Sequence, residues 1–454
     1  MAETSSIFPD GTTPANANDQ SAASDLVPKA AARVLMPDRS QVVLRASSLE
    51  SLLPQGHRAR MVWGYVERQN MSRLYAGIKA VEGGPGRPAI APEILFALWL
   101  FATLEGVGSA RSLDQLTGED DAYRWICGGV DVNYHTLADF RDEVEAMDEL
   151  LTDSIASLMA AGAVKRKGVA QDGMRVRASA GAASFCREDK LKEHLETARE
   201  RVAQLKAHVD DPVGESHRKQ AAQRRVAEER EAHMEAALAR LPELAAIKKN
   251  QGKKPEDARS STTDADATVM KMADGGFRPA FNFQYASDTE SQVIVGVEVI
   301  TSGSDQGSMA PMVVQVSERC GQTPESWLVD GGYPGHDQID AVSEQTTVYA
   351  PVPKSKDPKI DIHKPQADDS PAVGKWRERM GTKFLYKERA ATAECVNAQA
   401  PNRGLNRLLV RGLEKVRGIA LLFALAHNLM RAATLVPELV GMETGMSAVP
   451  QMAG

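Results

Sequence analysis

The sequence predicts an α/β fold in which a helical hairpin interrupts a mixed sheet and an all-helical domain precedes it. Alternating apolar residues at 167–178 and again between Arg278 and Ile300 are typical of strands. Between these strands, apolar residues at heptad spacing predict a long helix. Residues 50–165 look helical throughout. Together these patterns predict a sheet domain whose two parts are separated in the chain.

The composition is that of an ordinary globular protein of one to three domains. The chain has 454 residues, of which 43% are hydrophobic and 25% charged. The four cysteines form no CxxC pair and no cluster with zinc spacing, which favours a reducing cytoplasm. We see no signal segment at the start, and the apolar stretch 419–426 is too short to span a bilayer. We therefore expect a cytoplasmic protein without a membrane partner and a packed helix at 419–426.

The first part of the chain divides into a tail and a helical region. Residues 1–48 are rich in Ala, Ser, Asp, Pro and Thr and predict a disordered tail. In the helical region, 49–165, Pro92 is suited to the first turn of an apolar helix, and Thr136 to an N-cap. Several short helices with a late capped helix suit a helix-turn-helix-like DNA-binding domain. A helical dimerisation or packing domain explains the pattern equally well.

Residues 186–261 predict an antiparallel helical hairpin inserted into the sheet domain. A second helical arm runs from about Ser216 to Lys249, and residues 251–264 predict a flexible polar return. The seam of the first arm has spacings of four and three and consists of Leu191, Leu195, Ala198, Val202, Leu205 and Val209. We expect this hairpin to serve structure or dimerisation rather than catalysis.

The split sheet domain occupies residues 166–185 and 262–437, and 438–454 form a flexible tail. It carries one acid on each of three elements. Asp172 lies in the first strand, Asp330 ends the apolar run Trp327-Leu328-Val329, and Glu394 lies in a helical stretch that Pro401 must interrupt. The remaining predicted elements are strands at 278–285, 292–300 and 346–352, a helix at 308–320 and a loop at 354–373. Sheets of this class place their sites at strand ends, and carboxylates suit hard divalent cations.

Each acid also has a simpler interpretation. Asp172 and Asp330 precede glycine and could be turn residues, and Glu394 could be an intrahelical ion-pair partner. The competing acids Asp264 and Asp266 lie in a polar loop and are expected to be exposed to solvent.

Other polar residues leave alternatives open. Asn282 and Gln284 lie on the same side of a strand by period two, where they could contact DNA or satisfy a sheet edge. His135 and His427 are expected to be packed or capping residues rather than ligands.

The overall charge argues against nucleic-acid binding, whereas one segment argues for it. The formal net charge is −7. From Trp376 to Arg417, however, ten basic residues stand against four acidic ones, a local excess of six positive charges. A solvated helical face is the alternative explanation.

At this point the chain resembles the DDE transposases of bacterial insertion sequences over roughly residues 50–435. The motifs that carry the resemblance are Gln171-Asp172-Gly173 with Arg175 and Arg177 after it, Asp274 to Gln284, Val329 to Tyr333, Tyr386 to Glu394, and Arg411 to Arg417 with Ala426 to Leu429. The resemblance implies an RNase H-like catalytic core. It also implies that Asp172, Asp330 and Glu394 bind two Mg²⁺ ions, for which Mn²⁺ can substitute.

The resemblance further implies a DNA substrate. The expected partners are the double-stranded inverted repeats at the element ends and the target DNA, and paired ends imply at least a homodimer in the bacterial nucleoid. In the family's third motif, Tyr and Arg precede the Glu and a basic residue follows seven positions later, where this chain has Pro401. The candidate DNA-contacting residues are Arg175, Arg177, Asn282, Gln284, Tyr333, Tyr386, Arg389, Arg403 and Arg407.

The expected function is therefore binding of the inverted repeats, metal-dependent cleavage and strand transfer. The alternatives are a metal-dependent nuclease without strand transfer and an inactive DNA-binding remnant, which Pro401 keeps open.

Overall fold

The structure is a computed structural model, and all its described helices and strands lie in one compact unit, Ser48–Gly454. It describes residues 40, 48–80, 83, 87–207, 215–250, 252–355, 357–381, 392 and 396–442. The predicted tails at 1–48 and 438–454 lie largely outside these residues, as do Tyr386, Arg389 and Glu394.

The N-terminal part is helical, as predicted. Its helices are α1 Arg58–Val66, α2 Ser72–Ala76, α3 Pro92–Leu104, α4 Ala110–Glu119, α5 Asp121–Cys127, α6 Tyr134–Arg141 and α7 Val144–Ala160. Pro92 opens α3, which is buried on almost every side. The predicted cap at Thr136 is wrong, because the Asn133 side chain accepts from the His135 and Thr136 amides at 3.0 and 3.1 Å and starts α6 earlier. His135 is exposed and stacks on Tyr134.

The central sheet is mixed. Its strands are β1 Gly168–Arg177, β4 Thr268–Lys271, β5 Phe277–Asp288, β6 Ile294–Ile300, β7 Ser326–Leu328 and β8 Thr347–Tyr349. The order is β4-β5-β1-β7-β8. β4 and β6 pair with the same edge of β5, β4 with residues 277–280 and β6 with residues 282–287. β5 is antiparallel to β1, whereas β7 and β8 run parallel to β1. In the turn between β5 and β6, the Asp288 side chain accepts from the Ser291 amide at 2.8 Å.

The predicted hairpin is also confirmed. It consists of α8 Glu188–Ala207 and α9 Glu215–Asn250, whose apolar faces meet where Leu191 and Leu195 join the cluster of Met234, Ala237 and Leu241. The expected flexible return is wrong in part. Residues Ser260–Ser261 form β3, which pairs antiparallel with β2, Phe185–Cys186, so that the two ends of the insertion lie side by side.

The remaining helices cover the sheet. They are α10 Met309–Cys320, α11 His336–Val342, α12 Pro371–Met380 and α13 Leu413–Leu435. The predicted loop at 354–373 is shorter than expected, because Ser370 caps α12 and Pro371 opens it. By length and composition α13 could cross a membrane, but 72% of its most apolar window is buried inside the protein. It is therefore the packed helix that 419–426 predicted, and it shares one continuous core with α3, α7 and β6.

Asp264 and Asp266 hold the start of α13. Asp264 accepts from the Gly412 amide at 3.3 Å and Asp266 from the Leu413 amide at 2.9 Å. The expected solvent exposure is wrong for Asp264, which is 4% exposed. The first amides of a helix lack intrahelical acceptors, and these two carboxylates provide them. Burial raises the pKa of Asp264.

His427 is buried on α13, as expected for a packed residue. Its Nε2 bonds to the Gln292 carbonyl oxygen at 2.9 Å, and the residue is 1% exposed. Burial lowers the pKa of His427 to about 4 from its ordinary value of 6.5. The unfolded chain therefore binds a proton here between these two pKa values, while the folded chain stays neutral.

We expect His427 to destabilise the fold as the pH falls from 7 to 5. Because the folded pKa is depressed, the unfolding free energy drops by about 2 kcal/mol over this interval, and the loss levels off below the folded pKa. Urea unfolding of the wild type and His427→Gln at both pH values measures this contribution. In the variant, the loss of unfolding free energy between pH 7 and pH 5 should be smaller by about 2 kcal/mol. An equal loss in both proteins would contradict the prediction.

Candidate active site

Asp172 lies in β1, and Asp330 lies two residues beyond the end of β7, the parallel strand next to β1. In the β1–β7 register, Ala170 is opposite Leu328. Asp172 comes two residues after Ala170, and Asp330 comes two residues after Leu328. Neighbouring strands are about 4.8 Å apart. Asp172 is inside β1, paired with Tyr285, so its interpretation as a turn residue is wrong. Asp330 follows β7 and does begin a turn, because its Oδ1 accepts from the Gly332 amide at 2.7 Å.

The turn after Asp330 brings Tyr333 into the interior, where it is fully buried. Its hydroxyl donates to Gln284 Oε1 at 2.5 Å. Burial raises the pKa of Tyr333 far above its ordinary value, and the negative charges of Asp305, Asp172 and Asp330 raise it further. The phenol is therefore neutral and faces the charges of all three acids.

Asp305, which we did not single out from the sequence, is a third acid of this region. It lies in the loop after β6, with its side chain 11% exposed. Asn282 and Gln284 donate to its Oδ1 at 2.7 and 2.8 Å, and Arg175 donates to its Oδ2 at 3.1 Å. The only sequence signal was an acid shortly after an apolar strand, the pattern that also marks Asp330.

Three candidate DNA-contacting side chains are buried. Asn282 and Gln284 share a side of β5, as period two predicted, but they and Tyr333 have no exposed surface. Asn282 and Gln284 donate to Asp305 in the loop after β6, and Tyr333 donates to Gln284, so these side chains have partners inside the protein. Arg175 is partly exposed, but its guanidinium binds Asp305 and the Gly303 carbonyl.

Asn397 is a second residue that the sequence interpretation missed. Its Nδ2 donates to Asp172 Oδ2 at 2.9 Å. Nearby, the buried Thr392 donates to the Thr289 carbonyl at 3.3 Å and so packs against the β5–β6 turn. The available signal was spacing, since Asn397 follows Glu394 by three positions, which is the repeat of one helix face.

Several arginines lie near the C-terminal end of β1, beyond Asp172. The backbones of Arg177 and Arg407 form an isolated parallel β-bridge, and the Leu408 amide donates to the Arg177 carbonyl at 2.8 Å. Arg177, Arg407 and Arg411 are exposed. We call these three residues the arginine strip. Arg403 is different, because its guanidinium lies 5.8 Å from the centre of the Phe423 ring. It follows Pro401, which starts a short 3₁₀ turn where an interruption was predicted.

The described part of the site offers carboxylate oxygens, which are the donors that Mg²⁺ prefers. Across the described residues, which omit 382–391 and 393–395, no three His, Cys, Asp or Glu side chains are close enough to hold a metal ion. The predicted third acid, Glu394, lies outside the described residues.

Comparison with known families gives two matches. Residues 47–143 match a transposase domain (DUF772), and residues 356–433 match a transposase DDE domain. Neither the curated proteins nor the solved structures that were searched give a match. The first match covers most of the N-terminal helices, and the second includes Asn397 and most of α13. These two matches, which leave residues 144–355 uncovered, support a DDE transposase of the insertion-sequence type.

Proposed function

We propose that this transposase cleaves the ends of its element and joins them to target DNA in a reaction that needs divalent metal. The observation that carries the proposal is the register of β1 and β7, in which Ala170 is opposite Leu328, and Asp172 and Asp330 each follow two residues later. Two carboxylates placed in this way concentrate negative charge, which a divalent cation neutralises. Both acids belong to the set that the family resemblance implies.

We propose an RNase H-like core for the split domain, residues 166–185 and 262–437. The strand order β6-β5-β1-β7-β8, with the first three strands antiparallel and the last three parallel, supports this assignment. The hairpin at 186–261 enters and leaves through the paired strands β2 and β3, outside the main sheet. The helical region 49–165 is the proposed DNA-binding domain.

We propose Glu394 as the third acid. In the helix that the sequence predicts here, residues three apart share a face, so the spacing of Glu394 to Asn397, which bonds to Asp172, supports the proposal. In this scheme Asp172, Asp330 and Glu394 hold two Mg²⁺ ions. When bound, such ions lower the pKa of water or of a 3′-hydroxyl and stabilise the leaving oxygen.

The chain's own contribution is mainly positioning. Asn397 fixes one oxygen of Asp172, and the Gly332 amide fixes one oxygen of Asp330. Tyr333 is an unsuitable general base, because its raised pKa keeps its proton in place. The mechanism asks for no side-chain nucleophile. In cleavage the oxygen of water attacks phosphorus and the bond from phosphorus to the 3′-oxygen breaks, which releases a 3′-hydroxyl; in joining that hydroxyl attacks a target phosphorus and displaces the target's 3′-oxygen.

We propose that the arginine strip binds the phosphate backbone beside the site. Arg177, Arg407 and Arg411 are exposed, and they lie beyond Asp172 along the same strand direction. Arginine side chains bind phosphate regardless of base sequence. Both element ends must meet for joining, so the active species is at least a dimer, in the bacterial nucleoid.

We expect Arg407→Ala to weaken binding to all double-stranded DNA by a similar factor, on the order of fivefold, because it removes a phosphate contact rather than a base contact. The slope of log affinity against log salt should fall by about one. Fluorescence anisotropy with element-end and unrelated duplexes measures both. Lys364→Ala removes an exposed cation that pairs with Asp361 and should leave the slope unchanged. A loss confined to element-end DNA would contradict the assignment.

The proposed function is tested with labelled element-end DNA, unlabelled target DNA and wild-type protein, with Mg²⁺ or with a chelator. We expect cut ends and joined products in Mg²⁺ alone. Cut ends without joining would favour the metal-dependent nuclease. Binding without cutting would favour the inactive remnant, in which Pro401 replaces the family's basic residue.

A further inference from the structure

Asp305 belongs to a network of polar side chains that connects three strands of the sheet, β1, β5 and β7. It accepts from Arg175 on β1 and from Asn282 and Gln284 on β5. A second layer extends this network, because Gln171 Nε2 donates to Gln284 Oε1 at 3.2 Å and Trp327 Nε1 on β7 donates to Gln171 Oε1 at 3.1 Å. Buried polar groups cost free energy unless they are paired, and a fully paired network specifies one arrangement.

The network also touches the backbone beside both aspartates. A Cβ atom built on Gly173, next to Asp172, would lie 2.4 Å from Asp305 Oδ1 and 2.4 Å from Gln284 Nε2. A Cβ atom built on Gly332 would lie 3.9 Å from Asp305 Oδ2. The carboxylate thus sits between the strand that carries Asp172 and the turn that follows Asp330. Gly173 is required because any side chain there would displace the network.

We propose that Asp305 is a positioning residue that holds the backbone of Asp172 and Asp330 in the geometry needed to share a metal ion. This inference rests on the proposed function. Asp305 is not assigned as a ligand, because no three acids of the described residues, Asp305 included, are close enough to hold a metal ion. Groups that orient metal ligands do so without binding the metal themselves, and their loss typically weakens metal affinity about 10- to 100-fold.

Two substitutions disturb this network by different routes. Asp305→Asn keeps the shape of the side chain but removes its charge. The new side-chain NH₂ group then faces either the Arg175 guanidinium or the side-chain amides of Asn282 and Gln284, all of which are donors as well. Gly173→Ala keeps every charge but places a methyl group where the Asp305 oxygen and the Gln284 nitrogen lie. The control is Asp148→Asn, which breaks a comparable Asp–Arg pair, Asp148 with Arg319 at 2.6 Å, between α7 and α10.

The readout is the affinity for Mn²⁺ by titration calorimetry without DNA, together with the Mg²⁺ concentration for half-maximal cleavage. We expect both variants to weaken Mn²⁺ binding and to raise the Mg²⁺ requirement about tenfold. Affinity for element-end DNA should stay within about twofold of the wild type. The control should lose stability in urea unfolding without a change in metal affinity.

The possible results separate two failures. Unchanged metal affinity in both variants, or a loss no larger than in Asp148→Asn, would overturn the role of Asp305 and leave the proposed function standing. Wild-type protein that neither binds Mn²⁺ nor cleaves DNA would overturn the proposed function and this inference with it. Weaker metal binding in both variants, with DNA affinity retained, supports a positioning role over a general loss of structure.

Discussion

Asp172→Asn is expected to lower DNA cleavage at least about 1,000-fold while leaving affinity for element-end DNA nearly unchanged. The asparagine is nearly isosteric, and its carbonyl oxygen can still accept from Asn397, so the packing of β1 is retained. The negative charge that a divalent cation requires is lost. Gel assays of cleavage and joining, with anisotropy for binding, separate the two effects.

The matched control is Asp274→Asn. Asp274 also precedes a glycine, but it lies in the exposed turn between β4 and β5, where it pairs with Arg278 at 2.7 Å. This variant should cleave at the wild-type rate. Residual activity in Asp172→Asn within about tenfold of the wild type would remove Asp172 from the metal site, because a required ligand cannot be lost at so small a cost.

Asn428→Ala is expected to give the largest loss of stability, about 4 kcal/mol of unfolding free energy. Asn428 is fully buried on α13 and pairs twice with the backbone of Ile294, accepting from its amide at 2.8 Å and donating to its carbonyl at 2.8 Å. Alanine leaves both buried backbone groups unpaired on the outer edge of β6, and each costs about 1–3 kcal/mol.

Urea unfolding at pH 7 measures this loss. The control is Asn406→Ala, since Asn406 is exposed and donates a single hydrogen bond, to the Pro401 carbonyl at 3.0 Å. Its effect should stay within about 0.5 kcal/mol, as for most surface substitutions. Equal losses in the two variants would mean that water or neighbouring groups satisfy Ile294 once the amide is gone.

Local patterns predicted those features that depend on local physics. The heptad seam identified the hairpin because its apolar residues are close in sequence, and Leu191 and Leu195 pack against Met234, Ala237 and Leu241 of the second arm. The apolar patterns around Asp172 and before Asp330 identified two strands that lie next to each other in the sheet, because chain order and strand direction largely determine where strand ends meet.

The errors arose where a residue's surroundings come from distant chain segments. Period two correctly placed Asn282 and Gln284 on one side of β5, but it cannot say that both side chains donate to Asp305 in the loop after β6. Asp264 lies among polar neighbours in the sequence, yet it is buried because the start of α13 needs acceptors. Asn397 contacts Asp172 across 225 positions, a distance over which no local pattern carries information.

The paired stem of the insertion has a consequence for the history of the chain. Because β2 and β3 are adjacent, the hairpin begins and ends about one strand spacing apart. A segment with closely spaced ends can be lengthened, shortened or exchanged without moving the elements that flank it. Related chains could therefore differ widely in size at this point while keeping the same catalytic sheet, and a foreign domain with neighbouring termini could be grafted onto the same stem.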